Sequence, residues 1–282
     1  MTPHFSSLSA AYQLHFYFWF KTHYRRPLLL TENIRSLVHD VIAEVSTREK
    51  YHLLETDIAK DNVRLLISLN PTQSVSQAVK LLKGNVSRQF GLTFGDHLNA
   101  QGARSVWGKG YFARTSGKVN LTQARKYVDL QAVHHGYRGE WTRALKFRNP
   151  EFKSPAFRLD HSLCMLDYHL VLATQNRLPL FDETLAPGLF EYIMAIGQKH
   201  KFAVDRIGLM PDHMHLIIES IPSVCIEDSV RAVLENTRCW MTRHYSGVLR
   251  QMDAWDVWQP SFYAGTVGEY STAEVRQFLK MN

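Results

Sequence analysis

The sequence predicts an α+β fold built twice: two tandem units, each an antiparallel sheet with helices packed on it, ferredoxin-like in character, joined as a pseudodimer. The first observation behind this is an internal repeat. In a chain of 282 residues, a constant offset of 151 lays Pro71 on Pro222, Val79 on Val230, Asn85 on Asn236, Trp107 on Trp258, Ala113 on Ala264, Thr115 on Thr266 and Gly117 on Gly268. One residue of slippage upstream, at offset 152, pairs Thr22 with Thr174, Arg25 with Arg177 and Pro27 with Pro179. The second observation is that each copy alternates strand-like apolar runs with stretches of helical spacing in the order β-α-β-β-α-β-α. The third is size, since 282 residues supply two cores comfortably. The expected organisation is a first unit over 1–132, a polar and basic tail and linker over 133–160, and a second unit over 161–282.

Taken in order, "YQLHFYFWF" and "YHLVLAT" read as the first strands, and residues 31–47 and 185–200 as the first helices. "YHLLETD" and "FAVDRIG" follow, then "VRLLISL" and "MHLIIES", all short and rich in β-formers. Helices are expected at about 74–91 and 225–244, and strands near 111–116 and 262–266. A last helix opens in each unit at Asn120 and Ser271, both good N-cap residues. All helices are expected on one side of their sheet.

The composition, 45% hydrophobic and 21% charged, is that of a soluble globular protein. No run reaches the length of a membrane span and the N-terminus lacks a signal-peptide pattern, so a cytoplasmic location with no membrane partner is expected. Cys164, Cys225 and Cys239 are odd in number with no CxxC spacing, which predicts reduced thiols. The net charge of +7 is unevenly placed: residues 1–150 hold 21 Lys+Arg against 10 Asp+Glu, the remainder 12 against 16. An excess confined to the first half favours a polyanion footprint over a merely solvated surface. Its candidates are Lys21, Arg25 and Arg26 after the first strand, Lys80, Lys83 and Arg88 on the next helix, and Arg104, Lys109, Arg114 and Lys118 before the last helix. Trp107, Tyr111 and Phe112, interleaved with these, are candidates to stack on unpaired bases.

His213 and His215 in "PDHMHL" lie two apart on a strand, so both imidazoles share a face and are able to hold one metal ion. Taken alone, such a pair is more often satisfied by hydrogen bonds in a partly buried sheet. On the last helix of the first unit, "NLTQARKYVDLQ", Tyr127 and Gln131 are four apart and share a helical face, where a phenol nucleophile and a neutral oxygen ligand would project together. The commoner fate of a helical tyrosine is a ring packed in the core.

Together, "KTHYRRPLL" after the first strand, "PDHMHL", the tryptophan, aromatic, threonine and glycine of "WGKGYFARTSG" and "WQPSFYAGTVG", and the helix with "KYVDLQ" resemble the single-tyrosine HUH transposases of insertion sequences that move as single-stranded DNA, and the related REP-associated tyrosine transposases. The resemblance covers nearly the whole chain, twice. It implies a dimeric enzyme whose histidine pair and glutamine bind a divalent cation and whose tyrosine attacks a DNA phosphodiester, leaving a 5′-phosphotyrosine link. By position these are His213, His215, Gln131 and Tyr127. It also implies a DNA partner formed of a hairpin with flanking single strand. The units depart from the pattern in complementary ways. The first has Asn62 and Arg64 in place of the histidines, and the second has Phe278 and Asn282 in place of the tyrosine and glutamine. One composite site, with Mg²⁺ or Mn²⁺ loosely held in a cage without carboxylates, is therefore expected. The degenerate counterpart, with Arg64 where a metal would sit, is expected to be metal-free yet able to hold a phosphate. Two other readings stay open: a domesticated DNA-binding protein or repressor that has lost catalysis, and a nucleic-acid-binding scaffold whose histidines are structural.

Overall fold

The structure, a computed structural model, describes residues 4–134, 136, 145–152, 157–159 and 161–280. The first unit contains strands β1 (Ser9–Gln13), β2 (His15–Lys21), β3 (His52–Ala59), β4 (Asn62–Ser68) and β5 (Phe112–Ser116), with helices α1 (Glu32–Arg48), α2 (Val75–Ala100) and α3 (Leu121–His134). The segment between the units contributes β6 (Lys146–Arg148) and β7 (Phe157–Leu159). The second unit contains β8 (Ser162–Met165), β9 (Asp167–Thr174), β10 (Phe202–Met210), β11 (His213–Ser220) and β12 (Trp258–Val267), with α4 (Ala186–His200), α5 (Ile226–His244), α6 (Ser246–Gln251) and α7 (Thr272–Lys280).

Local sequence accounts for most of these elements. Along β2, Phe16, Phe18 and Phe20 are buried while Tyr17 and Trp19 are only partly so, the period-two alternation of a strand with one face in the core. On α1, Ile34, Val38, Val41, Ile42 and Val45 form the buried stripe, and Thr31 caps the helix by accepting from Ile34 N. Both last helices begin with reciprocal capping boxes. Asn120 accepts from Gln123 N while Gln123 accepts from Asn120 N, and Ser271 and Glu274 do the same. Helix α2 runs to Ala100, well past the expected end near 91, with a break in helical geometry at Phe94.

Two six-stranded sheets form among the described residues, in the orders β3-β4-β2-β5-β8-β7 and β1-β12-β9-β11-β10-β6. Each contains a strand from the other unit. The first strand of the first unit, β1, lies parallel to β12, with Ser9 opposite Ser261 and Gln13 opposite Gly265. Its counterpart β8 lies parallel to β5, with Phe112 opposite Leu163. The apolar run from Tyr12 to Phe20, read as one strand, is thus two strands that part at Leu14 and enter different sheets.

Further reciprocal bonds mark a pseudo-two-fold axis. Thr115 Oγ1 donates to Val267 O at 2.5 Å and Thr266 Oγ1 to Ser116 O at 2.6 Å. Ser76 N donates to Pro222 O at 2.8 Å and Glu227 N to Pro71 O at 3.0 Å. At the crossing itself a side-chain carbon on Gly117 would collide with Thr266 O, and one on Gly268 with Thr115 O. The start of each last helix is held by the opposite unit, through Leu121 N to Gly268 O at 2.6 Å and Thr272 N to Gly117 O at 2.8 Å.

Helices α1 and α2, and α4 with α5, share one continuous core with the inner faces of the two sheets. The last helices do not join them there, contrary to the one-sided expectation. Leu121, Ala124 and Val128 of α3 pack on Ile217 and Val267 of the second unit, and Val275 and Leu279 of α7 on Leu66 of the first. Because β-strand side chains alternate, Leu66 and Ile217 belong to the faces that α1, α2, α4 and α5 leave open. Each sheet is therefore covered on its outer face by a helix crossing from the other unit.

Gly117→Ala is expected to destabilise the protein by about 3 kcal/mol, since the obstructing atom is backbone. Gly84→Ala, in α2 with nothing within 4 Å of the added carbon, should stabilise it by about 0.5–1 kcal/mol. Urea unfolding of the two variants measures both.

Candidate active site

The crossing of α3 brings together residues that neither unit holds alone. His213 and His215 sit on β11 opposite Ala173 and Val171 of β9, and both are about 5% exposed, beneath the helix. Gln131 lies above them: its Nε2 is 3.4 Å from His213 Nε2 and closer still to His215 Nε2. One turn back, the ring of Tyr127 stands edge-on to His215 and His169, with centroids 5.7 and 6.0 Å away. Tyr127 is 44% exposed, so its ring borders solvent while Gln131 is sealed in.

The imidazoles are oriented from behind. His213 donates from Nδ1 to Asp212 Oδ1 at 2.6 Å, which leaves its Nε2 lone pair facing Gln131. Asp212 is itself paired with Arg177 at 2.8 Å, from a turn in which Asn176 and Arg177 both take left-handed φ. His215 Nδ1 is 2.8 Å from His169 Nε2, and the two rings stack at 5.1 Å. Burial pushes His169 down to about 4, so it is neutral near pH 7 and able to accept from His215. Neither Asp212 nor His169 was singled out from sequence. Helix α3 comes this close because β10 carries Gly208, where a side-chain carbon would lie 3.0 Å from Val128 Cγ1 and 3.4 Å from Gln131 Oε1. Arg125 to Asp205 at 2.6 Å and Asp129 to Arg148 at 3.0 Å and to Arg206 tie its outer side.

The donor set suits a cation. With the amide nitrogen toward the histidines, Gln131 Oε1 is buried without a hydrogen-bond partner among the described residues. With the amide turned end for end, its oxygen would lie beside the Nε2 atoms of both imidazoles. Either orientation leaves acceptor capacity that a bound cation satisfies. No cluster of three or more His, Cys, Asp or Glu side chains placed to hold a metal occurs among the described residues. Among the described residues, an ion here would rest on two imidazoles and an amide.

Residues 10–131, and again 162–282, match the protein family described as IS200-like transposase. The chain belongs to that family. It is also similar to the ISDra2 transposase TnpA of Deinococcus radiodurans, with 26% identity over 115 residues, spanning 41% of this chain and 82% of that protein. A crystal structure of a transposase from the same organism aligns at 20% identity and a TM-score of 0.35, covering 46% of this chain and 95% of that one. A REP-associated tyrosine transposase bound to a REP hairpin aligns at 15% identity and a TM-score of 0.28, covering 44% and 70%.

The transposase chain carries a second, degenerate version of the site where α7 crosses the first unit. Phe278 lies beside Arg64, whose guanidinium is 5.6 Å from the ring centroid. Arg64 Nε contacts Asn62 Oδ1 at 3.2 Å and Asp57 Oδ2 at 3.4 Å, and Asn62 Oδ1 also accepts from Trp19 Nε1 at 3.1 Å. The supporting residues persist. Asp61 accepts from Asn62 at 2.7 Å and pairs with Arg25 at 3.1 Å, as Asp212 does with His213 and Arg177. Asn282 lies outside the described residues.

The other basic candidates divide by their surroundings. Lys21, Lys80, Arg88, Arg104, Lys109 and Lys118 are exposed. Arg25 and Arg114 are paired with Asp61 and Glu269, and Arg26 bonds Gly102 O. Lys83 donates to Gly108 O and Gly110 O at 3.0 and 2.7 Å, with burial lowering its pKa, so it ties a loop. Trp107 is not placed to stack on bases: it is buried against Phe20 and bonds Lys83 O. Tyr111 leans on Cys164, and Phe112 borders an open cavity. No helix of the described residues is long and apolar enough to cross a membrane.

Gly208→Ala should lift α3 from the histidine strand at a stability cost of about 1–2 kcal/mol. Hydrogen exchange is the check: amides of Ala124 to Gln131 lose protection while those of α5 keep theirs.

Proposed function

We propose that this transposase cleaves and rejoins single-stranded DNA through a 5′-phosphotyrosine intermediate at one composite site, with Tyr127 and Gln131 from the first unit and His213 and His215 from the second. The observation that carries the reading is the juxtaposition of Tyr127 and Gln131 with that histidine pair, set against a twin site with Phe278 and Arg64 at the corresponding places. A half-site without a hydroxyl and with a fixed cation has no nucleophile to offer. The chain then has one centre, and its position at the crossing makes both units indispensable to it.

In the forward step the Tyr127 hydroxyl oxygen forms a bond to phosphorus in line with the bond that breaks. The phenol proton is lost and the 3′-oxygen departs as a hydroxyl, leaving the 5′-phosphate on the tyrosine. The bond energy is retained, so a 3′-hydroxyl attacking that link rejoins DNA and frees Tyr127. A divalent cation, magnesium or manganese, held by His213, His215 and the Gln131 amide oxygen, would polarise the scissile phosphate and offset charge developing in the transition state. Asp212 and His169 hold the two imidazoles with Nε2 outward, and the α3 packing holds Tyr127 over them. A hairpin flanked by single strand is the proposed DNA partner. The exposed cations of the first unit, Lys21, Lys80, Arg88, Arg104, Lys109 and Lys118, are its proposed phosphate contacts.

Incubation of the full chain with labelled hairpin DNA and Mg²⁺ or Mn²⁺ should give a nick and a protein–DNA adduct on Tyr127. Tyr127→Phe should abolish both while changing hairpin affinity by less than about threefold, because only a hydroxyl is removed. An adduct on another residue, or an active Tyr127→Phe, would overturn the assignment. A wild-type protein that binds hairpins but never cuts would favour the binding-protein reading.

His215→Ala should remove cation-dependent cleavage, whereas Asn62→Ala should leave the metal requirement as it is. Titration should give one catalytic cation per chain; two equivalent cations would contradict a single centre.

A further inference from the structure

The degenerate site has not simply lost its chemistry; its neighbouring positions have changed together. Where the second unit presents His169, Gly265 and Tyr127 around its histidines, the first presents Tyr17, Arg114 and Phe278 at the corresponding places in the repeat. A tyrosine stands in place of the histidine, an arginine in place of the glycine and a phenylalanine in place of the tyrosine. The result is a cavity of about 490 Å³ between β2, β5 and α7, within the size range of small-ligand sites.

Its walls offer ring faces and hydrogen-bonding groups in one place. Tyr17, Phe112, Tyr270 and Phe278 line it with Arg114 and Glu274. Tyr17 and Phe112 stand edge to face at 6.0 Å, and the Arg114 guanidinium lies 4.9 Å from the centroid of Tyr270. Helix α7 buries Val275 and Leu279 yet leaves Phe278 52% and Tyr270, just before it, 47% exposed, so these two rings are not there to complete the core. The cations nearest the cavity are already balanced, Arg114 by Glu269 at 2.8 Å and Arg64 by Asp57 at 3.4 Å. A phosphate would meet little net positive charge here and the carboxylate of Glu274 besides. A planar, uncharged ring with donors and acceptors along its edge fits better. Beyond the cavity, Lys21 stands exposed over Trp19 at 4.3 Å, a cation and a ring on the same strand face as Tyr17.

We propose that this cavity binds an unpaired nucleobase of single-stranded DNA and holds the strand without cutting it, the rings of Tyr17, Phe112 and Phe278 stacking on the base and Arg114 with Glu274 meeting its edge. Lys21 takes a neighbouring phosphate. The inference rests on the reading of the chain as a handler of single-stranded DNA and adds to it a second, non-cleaving strand site. One unit cuts and its twin grips.

The test uses the full-length chain and a short single-stranded oligodeoxynucleotide containing 5-iododeoxyuridine, irradiated and mapped by mass spectrometry. Adducts are expected on Tyr17, Phe112, Tyr270 or Phe278, competed by unlabelled single strand and not by duplex. Phe278→Ala should weaken oligonucleotide binding about tenfold, and Phe278→Trp should restore it, as a stacking contact predicts. Adducts confined to other residues, or an affinity unchanged by Phe278→Ala, would overturn the proposal; the adduct map is read on wild-type protein, so a misfolded variant does not blur it. The two readings fail separately. Adducts in the cavity without any hairpin cleavage would sink the nuclease and leave the strand site standing, and cleavage with adducts only elsewhere would do the reverse.

Discussion

Two backbones cross at Gly117 and Gly268 so closely that neither position has room for a side chain, and the threonine two residues before each glycine bonds the opposite backbone. That crossing sets the direction in which the chain leaves each sheet. The next helix has its first amide bonded to the far strand, at Leu121 and Thr272, so it is committed to the other unit before its second turn. Everything at the candidate site follows from this commitment: which helix covers which sheet, which side chains meet, and why a complete set of parts can be divided between two incomplete units.

Once the helices are crossed, each unit is free to change the part of its site that its twin still supplies. The pattern of change follows packing. At Gly208 the absence of a side chain admits Val128 and Gln131, whereas the corresponding position in the first unit is Asp57, which holds Arg64. The bulges behave alike: Asp205 in the second unit binds Arg125 of the crossing helix, and Leu54 in the first packs with Val275 and Leu279. Both interfaces keep an apolar centre and ion pairs at the margin, Arg125 with Asp205 in one and Arg276 with Glu55 in the other. The Arg–Asp pair behind His213 has its counterpart behind Asn62, and in each unit the arginine lies in a turn with two left-handed residues, Tyr24 and Arg25 or Asn176 and Arg177.

The repeat, the element types and the helix starts were legible because they are local. Offset identities, period-two strands and Asn or Ser before a helix need no knowledge of the distant chain. The exchange of β1 and β8 was not legible. The apolar run through Leu14 keeps its character while the chain changes sheets, and nothing local marks the change. Helix α2 read short because Gly91 and Gly95 lower helix propensity where packing sustains the helix. At the candidate site, His213, His215, Tyr127 and Gln131 stood out by spacing. His169 did not, since a lone histidine in a strand gains meaning only from its register beside Ile217 and Gly265, next to His215. Trp107 looked like a stacking residue because its neighbours are basic, and only the packing against Phe20 places it inside.

The traded strands also bear on how the chain is made. The pairing of Ser9 with Ser261 joins segments far apart in the order of synthesis. Until β12 emerges, β1 has no place to go, and β5 waits with an open edge for β8. The sheet of the first unit is therefore complete only after β8 of the second has been made. Between the emergence of β5 and that of β8 the nascent sheet has an unpaired edge, the kind of surface on which wrong pairing starts.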